Sequence, residues 1–183
     1  MNILSTILIL SAAFLAVFAE AALPGLRRLL GAQVDLLPAI MVYAALNTNL
    51  PTIALLAVSG GLWFDALSMN PFGITILPLF LTGFIIFSQR ELILRELSFA
   101  QIVLGTVASA VVPALTLLLL LTAGKDPLLG WGSLWQWFLM TAGGAVATPV
   151  IFALFNWASH ALGYPPRTET SFRSDREILR GRN

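Results

Sequence analysis

Between Leu36 and Gln89 the chain runs for 54 residues with a single charged side chain, Asp65. Two further stretches, Leu97–Gly124 and Pro127–Pro166, contain no Lys, Arg, Asp or Glu at all, and the one histidine, His160, lies in the second. A membrane-spanning helix needs about 20 predominantly apolar residues, with a range of about 17–25. Stretches this long and this uncharged are therefore membrane material. The composition agrees: 58% of the 183 residues are hydrophobic and 10% are charged, against about 25% charged in a soluble domain. So few charges cannot cover a water-facing surface, which excludes a soluble globular domain, a disordered chain and a fibrous repeat. Runs such as Leu115–Leu121 lack the strict apolar–polar alternation of a transmembrane barrel. The reading is an all-α integral membrane protein, a compact bundle of six transmembrane helices over residues 1–164, with an Arg-rich tail at 165–183.

Turn signals divide the apolar sequence. The first span is Ile3–Leu23, closed by Pro24-Gly25. Ala19-Glu20-Ala21 resembles a signal-peptidase site, but no basic residue precedes the apolar run, and the run exceeds the usual length of about 7–15 residues, so it reads as a retained helix. Asn47-Thr48-Asn49-Leu50-Pro51 and Ser68-Met69-Asn70-Pro71-Phe72-Gly73 are turns. They give spans at Leu36–Leu46, Thr52–Leu67 and Phe72–Ser88. The first of these is short, and either begins near Ala32 or enters the bilayer only part-way. Asn70 is expected to cap the fourth span, with Pro71 at its first helical position. Ser98-Phe99-Ala100-Gln101 reads as a capping box for the fifth, Phe99 to about Ala123, with a kink at Pro113. The sixth is Leu134–Ala158. Its Trp137 and Trp157 lie 20 residues apart, about 30 Å along a helix, matching two interfacial aromatic belts.

Six spans put both termini on one side. With cytoplasmic termini, Arg90, Arg95, Arg167, Arg173, Arg176, Arg180 and Arg182 are inside, and Arg27, Arg28 and Lys125 outside. The positive-inside rule favours that orientation.

Asp65 is the most informative residue. A carboxylate at mid-membrane costs about 2.5–3.5 kcal/mol on insertion scales, and the topology sets Asp65 near the outer end of its helix. It either accepts backbone N–H groups of the Met69–Gly73 turn or serves transport or catalysis. Glu20 lies at the same end of the first span. With Arg27 and Arg28 it forms a candidate outer-leaflet charge cluster with Asp65; alternatively both arginines contact phospholipid headgroups. Ala12 and Ala16 share a helix face with Glu20. Gly60-Gly61 and Gly143-Gly144 remove side chains from two further helices, which in membranes marks helix packing. Zero cysteines and one histidine exclude thiolate chemistry and a multi-histidine metal site. The motifs of zinc proteases, phosphate loops and nucleophile elbows are missing, so neither a catalytic set nor a cofactor is expected. A net charge of +1 gives no reason to expect nucleic acid as a partner.

The segment Gly60-Gly61-Leu62-Trp63-Phe64-Asp65-Ala66-Leu67-Ser68-Met69-Asn70-Pro71-Phe72-Gly73 resembles the signature of the MreD family, the rod shape-determining membrane proteins: a glycine-containing helix, an aspartate, a short turn and a Pro-hydrophobic-Gly step. Chain length, six spans and the short second span agree; the Arg-rich tail departs from the family pattern. The resemblance implies a non-enzymatic subunit of the bacterial cell-elongation complex in the inner membrane. Its expected partner is an MreC-like protein, with RodA, the elongation penicillin-binding transpeptidase and MreB nearby. Asp65, Pro71 and Gly73 carry over as family-typical positions without a catalytic role. The MreD fold is similar to that of the substrate-binding subunits of energy-coupling-factor vitamin transporters. Such a subunit is the alternative reading, with Ala12 and Ala16 as its docking face. An integral-membrane enzyme is a third.

Overall fold

The computed structural model describes residues 3–22, 35–68, 70–91, 98–125 and 130–161. Among them there are six helices and no strand. These are α1 (Ile3–Ala22), α2 (Leu37–Asn47), α3 (Leu50–Leu67), α4 (Ile76–Gln89), α5 (Ser98–Thr122) and α6 (Trp131–Ala161). The helices α1, α3, α5 and α6 as far as Ala158 are long and apolar enough to cross a membrane. With 11 and 14 residues, α2 and α4 are about 16 and 21 Å long, short of the roughly 30 Å hydrocarbon layer. The chain forms two compact units, Met1–Phe152 and Ala153–Asn183. The described part of the second is the end of α6, where Trp157 is exposed.

The shortest helix is the core of the first unit. Nine of the 11 residues of α2 are buried: Leu37 through Val42, and Ala44 through Leu46. A helix apolar on every side has no face to give to lipid in preference to protein, and α2 packs against α1, α3, α4 and α5. Pro38 sits in its first turn, where a missing N–H costs nothing. Its end is set by Thr48, whose N–H and hydroxyl both donate to Ala44 O, at 2.8 and 2.6 Å. Thr48 and Asn49 are extended, and α3 starts two residues after Thr48.

Hydrogen bonds fix which helix ends lie together. Glu20 at the end of α1 accepts from Leu36 N at 2.7 Å, and Asp65 near the end of α3 accepts from the start of α4. At the other end, Arg90 Nη1 donates to Thr48 O at 3.1 Å, and its guanidinium lies 4.3 Å from the Phe87 ring centroid. The two short helices therefore run the same way, from the Glu20–Asp65 end to the Arg90–Thr48 end.

The fourth helix departs from expectation. It opens at Ile76, with Thr75 at the N-cap position, so Asn70 is not its cap and Pro71 is not its first helical residue. The helices α3 and α6 begin two and three residues earlier than expected, at Leu50 and Trp131. Pro113 lies inside one continuous helix, as does Pro149 in α6. The tail at 165–183 falls outside the described residues.

Candidate functional site

The segment between Gly60 and Thr75 closes on itself. Gly61 and Asp65 are four residues apart on α3 and share a face. A Cβ on Gly61 would lie 3.0 Å from Ile76 N and 3.1 Å from Ile76 Cα. Only a bare Cα lets the backbone that starts α4 come so close. One turn on, Asp65 meets the residues just before that start. Its Oδ2 accepts from Gly73 N at 2.9 Å and Thr75 N at 3.2 Å, and its Oδ1 accepts from the Thr75 hydroxyl. The N-terminal amides of a helix lack partners within the helix and carry positive partial charge. Asp65 supplies the missing acceptor from a neighbouring helix, and α4 has no cap of its own.

Between the two helices, Pro71 O accepts from Ile74 N at 3.3 Å, and Gly73 adopts φ +86°. A turn with positive φ at its third residue favours glycine there. It points the Gly73 N–H back at Asp65. Ser68 Oγ accepts from Asn70 N and donates to Asp65 O, tying the exit from α3 to its last turn. Asp65 is 1% exposed, and three donors occupy its carboxylate. That arrangement holds two helices together.

A second carboxylate site lies at the start of α2. Glu20 takes Leu36 N, and Asp35 Oδ1 takes Leu37 N at 2.9 Å. Two acids thus share consecutive amides of one helix N-terminus. Asp35 lies ahead of α2, and burial pushes its carboxyl up to about 6, against the Leu37 N–H that draws it down. Asp35 is not a candidate from the sequence because an acid shortly before a helix is ordinary; what sets it apart is Glu20, 15 residues earlier. The Glu20 bond to Leu36 and the Asp65 bonds to Gly73 and Thr75 serve different helices. The expected cluster with Arg27 and Arg28 involves residues outside the described set.

The small residues have separate uses. On α1 the buried stripe is Thr6, Ile9, Ala13 and Val17; Ala12 and Ala16 flank it, half-buried. The Thr6 and Thr52 hydroxyls meet at 3.0 Å and join α1 to α3. A Cβ on Gly60 would lie 2.8 Å from Leu37 Cδ2. In α6, Gly144 rather than half-buried Gly143 makes the close approach. Its Cβ would fall 2.4 Å from Ser109 Cβ and closer still to Ser109 Oγ. Reciprocally, a Cβ on Gly105 would lie 2.6 Å from Gly144 O. Two small-x-x-x-small pairs, Gly105/Ser109 and Gly144/Thr148, thus cross backbone to backbone.

The chemistry available for a ligand is sparse. Among the described residues, no group of three or more His, Cys, Asp or Glu could hold a metal ion. Two clefts lie along α1 and α3, lined by apolar side chains and Ser11. No protein-family model, curated protein or solved structure matches the chain.

Proposed function

We propose that this chain is a non-enzymatic scaffold subunit of the bacterial cell-elongation complex, set in the inner membrane and bound to an MreC-like membrane protein. The observation that carries the reading is the Gly60–Gly73 segment. Three residues that make it resemble the MreD signature have structural roles. Gly61 admits the α4 backbone, Asp65 caps it, and Gly73 turns the chain between them. An acid absorbed into a helix cap suits a scaffold better than a transporter or an enzyme, which would keep its carboxylate available. In this reading the chain crosses the membrane six times. Both termini are cytoplasmic, and α2 and α4 pass through as short helices shielded by longer ones. RodA, the transpeptidase and MreB are further members of the same assembly.

The faces around Gly61 and Gly144 are filled by the chain's own helices, so a partner docks elsewhere. The experiment is co-purification of the tagged chain with the MreC-like protein of the same cell, in mild detergent. Retention of that protein is the expected result. Retention of a transporter ATPase and a tightly held vitamin, with no cell-wall protein, would replace the scaffold with the energy-coupling-factor reading.

A further inference from the structure

The helix α1 has two faces with different spacings. Its inner face, Thr6, Ile9, Ala13 and Val17, is buried. On the outer side Leu4, Ile7, Ser11, Phe14 and Phe18 are all exposed, and they follow one another at intervals of three, four, three and four residues. That is the seam of a left-handed two-helix coil, which repeats every 3.5 residues. Lipid tails impose no such period, whereas a second helix does.

The middle position of the seam is polar. Ser11 lies near the centre of a 20-residue helix. Most other exposed helix hydroxyls return to their own backbone: Ser59 to Leu55 O, Ser88 to Phe84 O, Thr106 to Ile102 O and Thr141 to Trp137 O. Among the described residues, Ser11 has no hydrogen-bond partner. It lines a cleft of about 470 Å³ with Ile7, Leu10, Phe14, Leu15 and Trp63. Phe14 stands edge-on to Trp63 at 5.2 Å, forming an aromatic wall along one side.

We infer that this seam pairs with the same seam of a second copy of the chain, Ser11 against Ser11. All copies of a membrane protein insert with one orientation, so two α1 helices meet parallel and in register across a two-fold axis normal to the membrane. Each seam residue then faces its own counterpart. A hydroxyl both donates and accepts, so two Ser11 side chains satisfy one another. A single polar pair at a seam position fixes register. The helix of the second copy also fills the cleft beside Trp63. The inference stands apart from the identity of any cell-wall partner.

The chain has no cysteine, which makes single-cysteine cross-linking clean. Ile7→Cys, Ser11→Cys and Phe14→Cys are compared with Val107→Cys and Leu118→Cys, exposed positions on α5, in native membranes under mild oxidation. A disulfide needs Cβ atoms about 3.8 Å apart. Disulfide dimers should form at the three α1 positions and not at the two on α5. Adding Ser11→Val to Ile7→Cys should lower the dimer yield about threefold, the effect of one interhelical hydrogen bond in a membrane. Monomer at all five positions, or equal dimer on α1 and α5, overturns the pairing. So does a photo-cross-linker at Ser11 that joins a different protein.

Discussion

The α3–α4 junction and the α5–α6 crossing join helices by opposite means. At the first, a glycine admits a backbone, and a carboxylate then satisfies that backbone's donors. At the second, the backbones are as close, yet no hydrogen bond of the small residues crosses. The Thr148 hydroxyl returns to Gly144 O in its own helix at 2.8 Å, and the buried Ser109 hydroxyl has no partner. Apolar burial does not drive helices together within lipid, because the tails are equally apolar. One junction therefore rests on directional polar bonds and the other on packing alone. Losing the acid should break the first. Adding volume should break the second.

The largest effect is expected at Asp65. Asp65→Leu strands two amides and a hydroxyl in a buried site, at about 1–3 kcal/mol for each unsatisfied group. The protein should fail to accumulate in membranes, whereas Asp65→Asn, which keeps one acceptor, should retain part of its level on an immunoblot. Equal accumulation of the two variants, together with lost function in both, would mean that the charge itself matters.

At the crossing, Gly144→Ala forces the helices apart, because the new carbon meets Ser109 and the Gly105 carbonyl. Overpacking of this kind costs about 1–3 kcal/mol, readable as a lower melting temperature in detergent. Adding Ser109→Gly removes the nearest obstruction and should return part of the loss. No return would show that packing against Ser109 is not what holds this pair. Ser109→Ala alone should be neutral or slightly stabilising, since the hydroxyl it removes makes no bond.

The Gly60–Gly61 pair separates the two means within one helix. Gly61→Ala meets the backbone of Ile76, which cannot give without moving α4, whereas Gly60→Ala meets only the tip of Leu37. The first should destabilise more than the second, and the reverse order of melting temperatures would contradict the close approach.

A smaller effect follows from Asp35, raised from an ordinary 3.8 to about 6. Between those values the folded protein holds more protons than the unfolded chain. Stability should therefore fall as pH rises from about 4 to about 6 and level off above that. Asp35→Asn should flatten the slope in a melting series across this window.

Much of the architecture is legible in the sequence because lipid imposes coarse rules. The apolar stretches and their Asn-Pro and Pro-Gly punctuation locate six helical segments, and Asp65 stands out simply as the only charge among 54 residues. The start of α4 is not legible. Asn70-Pro71 carries the local pattern of a cap and a first helical residue, but the cap comes from Asp65 on α3, and Gly73 turns the chain before the helix begins. The central place of α2 is hidden for a similar reason: a short apolar run reads as an incomplete span until four other helices surround it. Gly105/Ser109 opposite Gly144/Thr148 has a sequence signal, the same spacing on two helices, yet nothing in the chain says which two spacings meet.

The central claim is that Asp65 joins α3 to α4 through the donors at the start of α4. A double-mutant cycle with Asp65→Asn and Thr75→Val tests it most directly, by chemical or thermal unfolding of the purified protein in one detergent. Groups bonded to each other are not additive. The double variant should lose clearly less stability than the two single losses combined. Strict additivity would mean that Asp65 and Thr75 do not act through one another, and would contradict the cap.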